Sequence, residues 1–537
     1  MRQTTRHRRR STAFRPERLE DRTVLSTLFV TNPFDTGVPG DGSLRSQIAA
    51  ASAGDTIAFK LNVDRIALTQ GELQISQDLT ISGPGACKLT ISGHNASRVF
   101  DITGGTVIIA GLTIADGRAD GKTPVSPGEG GGILNSGNLT LTNDILWNNR
   151  AVGDASVTAG FLGAGRGGGI FNSGTLTVST CQFLNNQARG ADGTLVPGLV
   201  AGFAGGGALA NNVDASVEIT GSLFAGNAVQ GGSGGRGPFA GAGLGGAIVN
   251  SSTLIVSCST FQDNLAIGGN DNLGDLAAGA TNTGGGAGGA IGSGNPLGGV
   301  ASVTVSGSLF VHNQAIGGNG NLVANLAPDN PFAYLLAPNT GSGGAIEILK
   351  GSGVIRGSTL IDNRAVGGQG SAGSDGGSGA GGGIVGFAFL GPVAISVSDC
   401  TAALNAAIGG PGGSGDNGGT GLGGGLASAG VPGAGGVYTA TLTVNNTIVA
   451  YNKAMGGDGV VGGNGFGGGL YNGAYSSLVL TNAKVQFNSA IGGDGCHGND
   501  GDGVGGGVYA GPLGTFTPDA STIKKNRAST SGNQVGP

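Results

Sequence analysis

Charge is scarce in this chain. Asp, Glu, Lys and Arg make up 11% of its 537 residues, about half the usual share for a soluble domain. Eight of the 27 basic residues lie in the first 22 positions. The rest of the chain holds 19 basic against 29 acidic residues, which makes nucleic acid and anionic membrane poor partners. No run of 18 apolar residues occurs, so no helix is expected to span a bilayer. Aromatic residues are 5%, with one Trp, and there are five Cys. An odd handful of cysteines argues against a disulfide framework. Cys181 and Cys400 occupy one column of the repeat described below, at a separation of about 24 Å, and Cys258 lies one column off, so none of these can bridge. Buried thiols are expected there, and Cys87 and Cys496 stay unassigned.

Glycine, by contrast, is abundant, at 117 residues, and it is organised. Between Gly130 and Ala528 a unit recurs ten times: a glycine pair or triplet, an aliphatic residue, two alternating apolar positions, and a closing Asn. The closing residues are Asn149, Asn186, Asn227, Asn264, Asn313, Asn363, Asn405, Asn452, Asn488 and Asn526, spaced 36 to 50 residues apart. Three residues before each stand Leu146, Phe183, Phe224, Phe261, Phe310, Leu360, Ala402, Val449, Val485 and Ile523. Upstream pairs such as Leu139/Leu141, Leu176/Val178, Val217/Ile219 and Leu254/Val256 alternate at period two, the pattern of one strand face. Gly353 and Pro518 interrupt these columns in the sixth and tenth units.

Strands this short cannot make a core alone. Stacked as rungs about 4.8 Å apart, they pair in parallel with their neighbours and enclose a shared interior. The expected fold is therefore all-β: a right-handed single-stranded parallel β-helix, a solenoid with Gly-rich loop insertions and a short N-terminal cap helix. Ten Asn in ten repeats point to a ladder of stacked side-chain amides at a corner, where Asn also tolerates left-handed backbone. Glycine concentrates in inserts such as 154–166, 231–244, 368–380 and 410–422, which read as flexible loops on one side.

The chain divides into a basic export or sorting segment, 1–26, a cap, 27–60, the β-helix, 61–528, and a disordered tail, 529–537. The helix body splits into irregular rungs, 61–129, and the ten ladder repeats, 130–528. In the cap, Ser43 is placed to begin a helix whose Leu44, Ile48 and Ala51 share one face. Arg18-Leu19-Glu20-Asp21-Arg22 with Val24-Leu25-Ser26 resembles the LEDR-type N-terminal segment of large exported and surface-associated bacterial proteins. Export, with an extracellular or cell-envelope location, is what that resemblance implies.

The repeat itself carries a second resemblance. GGAI stands at 245–248, 288–291 and 343–346, and FxxN at Phe183–Asn186, Phe224–Asn227, Phe261–Asn264 and Phe310–Asn313. This alternation is similar to the repeat of polymorphic outer membrane proteins and covers about 400 residues. It implies a β-helix displayed outside the cell, often in adhesion. The residues after Ala528 do not resemble that family's C-terminal β-barrel, so self-transport by that route is not expected.

Candidate chemistry lies where the copies disagree. The residue before each ladder Asn is Asp263, His312 and Asp362 in three consecutive rungs, with Arg364 just beyond. A carboxylate–imidazole–carboxylate stack can hold a cation or move a proton, although Asp and Asn also suit a plain turn. Asp494, Asp500 and Asp502 in GGDGCHGNDGDG resemble a blurred Ca²⁺-binding nonapeptide loop; apart from that possible Ca²⁺, no cofactor or metal is expected. Phe332, Tyr334, Leu335 and Leu336 form an apolar, Pro-braced loop suited either to docking or to folding back over the sixth repeat. The exposed Trp147 is more simply a surface residue than a sugar platform.

The reading is an exported or cell-surface protein with a non-catalytic structural, adhesive or glycan-contacting role, its partners polysaccharide or cell-surface components. The alternative is a carbohydrate-active enzyme, a polysaccharide lyase or glycoside hydrolase on the pectate lyase-like β-helix. No compact group of several Asp with a facing Arg or Lys emerges from the register, which disfavours it. With nothing obvious covering the tenth rung, end-to-end self-association is also expected.

Overall fold

Short runs of Thr, Val, Ile and Leu between Gly, Ser and Asn corners leave each strand only one place to satisfy its backbone: the equivalent strand one repeat away. One rung runs through Thr175–Ser179, Gln182–Leu184, Gln187–Arg189, Ala204–Gly205 and Leu209–Asn211 before Ser216–Thr220 begins the next. We call the sheets built on these five strands the first to fifth. The computed structural model describes residues 25–121, 128–156, 163–194, 201–237, 239–275, 283–294, 299–324, 338–433 and 436–537. In it the five sheets hold 14, 13, 11, 10 and 14 strands. Rung pairs with rung in parallel throughout, as in Leu176↔Val217 and Phe183↔Phe224. The antiparallel exception is a hairpin between Leu426–Gly433 and Gly436–Tyr438. The chain is a right-handed parallel β-helix, the hand that parallel crossovers favour.

The first, second and fifth sheets enclose the main core. Leu176 and Val178, Phe183, and Ile170 point inward from them. The Phe column stacks, with ring centroids 4.5, 4.8 and 4.8 Å apart from Phe183 to Phe310. Gly353 leaves a gap in the first sheet, and Ile348 fills it: a Cβ on Gly353 would lie 2.2 Å from the Ile348 Cδ1. Pro518 falls on the last strand of the first sheet, where a missing N–H costs no ladder bond.

The closing Asn residues form the expected ladder. Asn186 donates its backbone N–H and its Nδ2 to the Asn227 Oδ1, at 3.0 Å each, and gives a second Nδ2 proton to the Leu146 carbonyl at 2.9 Å. The same bonds recur from Asn149 to Asn526. One detail differs from expectation. Left-handed backbone falls on the residue before each Asn, with φ between 49° and 64° from Asn148 to Lys525, and not on the ladder Asn itself. Further ladders lie inside. Asn135, Asn172, Asn211 and Asn250 join side chain to side chain in the fifth sheet. Between the first and second sheets, Cys181, Ser222, Ser259, Ser308, Ser358 and Cys400 each accept the backbone N–H of the rung before. Cys181 and Cys400 are thus buried, as expected, and burial pushes the Cys181 thiol up to about 12. Cys258, also expected to be buried, is exposed instead, because it takes a left-handed corner position at φ 48°; Cys87 and Cys496 are exposed too, and all five thiols are free.

Glycine explains the third and fourth sheets, which run out from the core and back as a thin fin. In the Gly288-Gly289 pair, Gly288 turns the chain at φ +60° and Gly289 lies against the neighbouring backbone. A Cβ on Gly289 would sit 2.1 Å from the Gly344 carbonyl oxygen. Inserts 368–380 and 410–422, expected as flexible loops, extend this fin with bonded backbone. Gly377 donates to Gly368, Gly410 to Gly377, and Gly419 to Gly410, at 2.8 to 2.9 Å.

The first rung is capped, and the last is completed in part. The helix Leu44–Ala50 forms with Ser43 as its N-cap, and Thr27–Val30 pairs with the strand Asp55–Phe59. Residues 529–537, expected as a disordered tail, are ordered instead, because they complete bonds of the last rung. Val535 pairs with Val508, and the Gln534 Oε1 accepts from the Asn526 Nδ2 at 3.1 Å in place of an eleventh Asn. Thr515–Asp519 and Thr522–Lys524 stay the last strands of their sheets.

Between fin and core the outer side of the fifth sheet is apolar, with Phe171 and Val249 in one cluster and Val385 and Tyr471 in another. Glu347 sits between them, flanked by Gly292 and Val385. It is 1% exposed, accepts from the Ser342 hydroxyl at 2.6 Å, and its Oε2 has no partner. Burial pushes its carboxyl up to about 8, partly offset by the Ser342 bond.

Two outcomes are expected. Gly289→Ala should lower unfolding free energy by about 1–3 kcal/mol through backbone overlap. Gly104→Ala, whose Cβ would stand 3.7 Å from its nearest neighbour, should change it far less; urea unfolding compares the two. The unfolded chain ionises Glu347 near its ordinary 4.5, while the folded chain keeps the proton up to about 8. Stability from this residue is therefore full below pH 4.5 and is lost as pH rises through 8. Glu347→Gln should flatten that decline, so that its thermal midpoint exceeds that of the unmodified chain at about pH 9 but not at about pH 4.

Candidate functional site

The corner between the second and third sheets determines which side chains reach solvent. Each ladder Asn turns inward, and the left-handed residue before it projects outward. Because that residue contributes nothing to the core, its identity is free to vary from rung to rung. Successive positions read Asn148, Asn185, Gly226, Asp263, His312, Asp362, Leu404, Tyr451, Phe487 and Lys525. Asn, Asp, His and Gly adopt this backbone most readily, whereas Leu404, Tyr451, Phe487 and Lys525 do so at some cost in strain.

The register brings Asp263, His312 and Asp362 together. The His312 Nδ1 lies 3.5 Å from the Asp263 Oδ1, and its Nε2 lies 3.6 Å from the Asp362 Oδ2. Arg364 joins the stack, its Nη2 3.2 Å from the Asp362 Oδ1. The Gln262 Nε2 donates to the Asp263 Oδ2 at 2.9 Å. An imidazole held between two carboxylates can take up a proton or help retain a cation, and Arg364 adds a fixed positive charge. The stack is open: the side chains of His312, Asp263 and Arg364 are about half exposed, and that of Asp362 is 34% exposed. Among the described residues no walls close round it to exclude water, the usual condition for strong acid–base catalysis.

Beyond Leu404 the column becomes aromatic. Tyr451 and Phe487 stack with centroids 4.9 Å apart and planes 6° from parallel, and the Lys525 Nζ lies 5.2 Å over the Phe487 ring. Both faces of Phe487 are therefore occupied, and the pair offers ring edges to solvent. Trp147, 43% exposed, stands alone.

The remaining candidates do not converge. The Asp500 Oδ1 accepts from the Gly495 N–H at 2.9 Å. Asp494 and Asp502 donate their backbone N–H groups to Asp458 and Asn464 in the rung before. Among the described residues no three His, Cys, Asp or Glu side chains gather as a metal-binding group. Phe332, Tyr334, Leu335 and Leu336 lie outside the described residues.

Some residues escaped the sequence reading. Glu347 was signalled by one charge in GGAIEI, where sister repeats place Leu, Phe, Ala, Val, Gly or Tyr. Arg118, Arg150 and Arg189 lie on neighbouring rungs of the third sheet, a grouping that the insert lengths hide. No helix among the described residues is long and apolar enough to cross a membrane.

No family model matches the chain, and no curated protein matches it. The likeness of its repeats to polymorphic outer membrane proteins is therefore a matter of short motifs. Solved structures share the general architecture. The catalytic unit of a thermostable GH87 alpha-1,3-glucanase from Streptomyces thermodiastaticus is 13% identical, with 93% of this chain and 69% of that chain covered and a TM-score of 0.42. The A-module of a mannuronan C-5 epimerase from Azotobacter vinelandii is 12% identical, with coverage of 89% and 93% and a TM-score of 0.38. A bacteriophage CBA120 tailspike protein is 10% identical, with coverage of 93% and 62% and a TM-score of 0.33. Likeness at this level assigns no activity, ligand or residue role to this chain.

Proposed function

We propose that this chain is an exported or surface-displayed β-helix that contacts polysaccharide or other cell-surface components without chemically altering them. The observation that carries the proposal is the openness of the Asp263–His312–Asp362 stack. Its charged groups sit on a ridge with their side chains 34–54% exposed, so they can meet a passing chain but cannot enclose one. A solenoid suits that task, because its outward columns repeat at rung spacing along a rigid axis. Export rests on the resemblance of residues 18–26 to an LEDR-type segment.

A second reading, a polysaccharide lyase or glycoside hydrolase, draws on one specific feature. Arg364 beside Asp362, with His312 next in line, combines a fixed cation with proton-transfer groups.

Incubation with acidic and neutral polysaccharides separates the two. The proposal expects retention of the protein on polysaccharide with no unsaturated products and no new reducing ends. Release of either product, abolished in His312→Ala, would overturn it in favour of the enzyme. Because its ion pairs are exposed, His312→Ala should change stability by less than about 1 kcal/mol, so the comparison is made on folded protein.

A further inference from the structure

The outer face of the third sheet carries a grouping of a different kind near the N-terminal end of the ladder repeats. Arg118 and Arg150 are direct partners on adjacent strands, and Arg189 follows one rung on, opposite Val152. They line a depression of about 340 Å³ that also includes Gln187 and Gln230. A second depression, of about 410 Å³, adjoins it at Arg118 and continues past Asp120 to Arg98 and Glu72. Together they form an open groove along the solenoid axis.

The charges in this groove do not balance. Glu72 pairs with Arg98 at 2.5 Å, Asp120 with Arg118, and Asp192 with Arg189 at 2.7 Å. Arg150 has no carboxylate partner among the described residues, and its Nε is buried without a hydrogen bond. Like charges on directly opposed strand positions are destabilising, and a buried guanidinium nitrogen left unbonded adds a desolvation cost. In a chain with so few charges, such an arrangement makes sense if an anion completes it.

We propose that the groove is a binding site for an acidic polysaccharide, with Arg150 receiving a carboxylate or sulfate group and Arg118 and Arg189 flanking it. A guanidinium presents a planar fork that matches either oxyanion. Gln187 and Gln230 supply amides for sugar hydroxyls, and the open ends of the groove admit a chain longer than the depression. This deepens the glycan-contact reading and rests on it. It adds, for acidic chains, a second contact to the one proposed at the Asp263–His312–Asp362 ridge.

The test measures binding of the full chain to polygalacturonate, dextran sulfate and neutral dextran at low and moderate salt. The expected result is salt-sensitive binding to one or both charged polymers, with the stronger arm identifying carboxylate or sulfate as the preferred group. Arg150→Gln should weaken it on the order of tenfold, the usual scale for one charge-assisted contact. Arg150→Lys should restore part of the loss. Arg150→Gln should unfold at a midpoint no lower than that of the unmodified chain, because it removes an unpaired charge. Charged polymer bound equally well by Arg150→Gln overturns the site while leaving glycan contact standing. So does a lower midpoint for that variant, or equal affinity for neutral dextran. Binding to none of the three overturns both readings, and tighter binding to single-stranded DNA than to either polymer overturns the sugar class.

Discussion

A buried solenoid interior tolerates polar groups only where their hydrogen bonds close, and the Asn column from Asn149 to Asn526 meets that condition with one residue type. The amide oxygen takes the backbone and side-chain protons of the rung before, and the amide nitrogen donates both forward and back. Asp would bring a charge and no donor, and Gly would leave the neighbouring N–H unbonded in a buried site. That accounts for ten Asn in ten repeats. The ladder also holds the register. With each rung seated on the next through this column, Phe183 falls over Phe224, the aliphatic pairs of the first sheet align, and the left-handed residue before each Asn is turned to solvent.

The glycine content follows from the other half of the rung. The fin is thin because its outgoing and returning strands touch backbone to backbone, and a single Cβ at Gly243, Gly286 or Gly341 would overlap the carbonyl oxygen of Ile267, Ile316 or Val366 on the facing strand. Glycine there is a packing residue, as much a part of the interior as Phe261. Composition alone places such a chain close to disordered sequences. The distinction lies in where the glycine is found: in fixed register beside alternating aliphatics.

How far the fold could be read from the sequence depended on what repeats. Strand faces, the Asn corner, the cap helix and the parallel coil were visible because each recurs at constant offset or carries a local signal such as Ser43. The ladder of Asn135, Asn172, Asn211 and Asn250 was not recognised, since it lapses after four rungs into Ser293 and Ile348. The order of inserts 368–380 and 410–422 was hidden for a different reason: backbone hydrogen bonds between glycines leave no side-chain pattern. The tail was misread because Gln534 completes the ladder from outside the motif. Of the candidate site, the Asp263–His312–Asp362 stack was legible, since register alone determines it. Neither its openness nor the unbalanced charge of Arg150 was, because both depend on what the rest of the surface supplies.

Hydrogen exchange measured at the ladder tests the central claim most directly. The backbone N–H groups of Asn186, Asn227, Asn264 and Asn313 have a side-chain oxygen of the next rung as their acceptor, so their protection reports the ladder itself. The account predicts that these amides exchange as slowly as those of the flanking core strands, in an unbroken series along the coil. Exchange at the rate of solvent-exposed amides would contradict it.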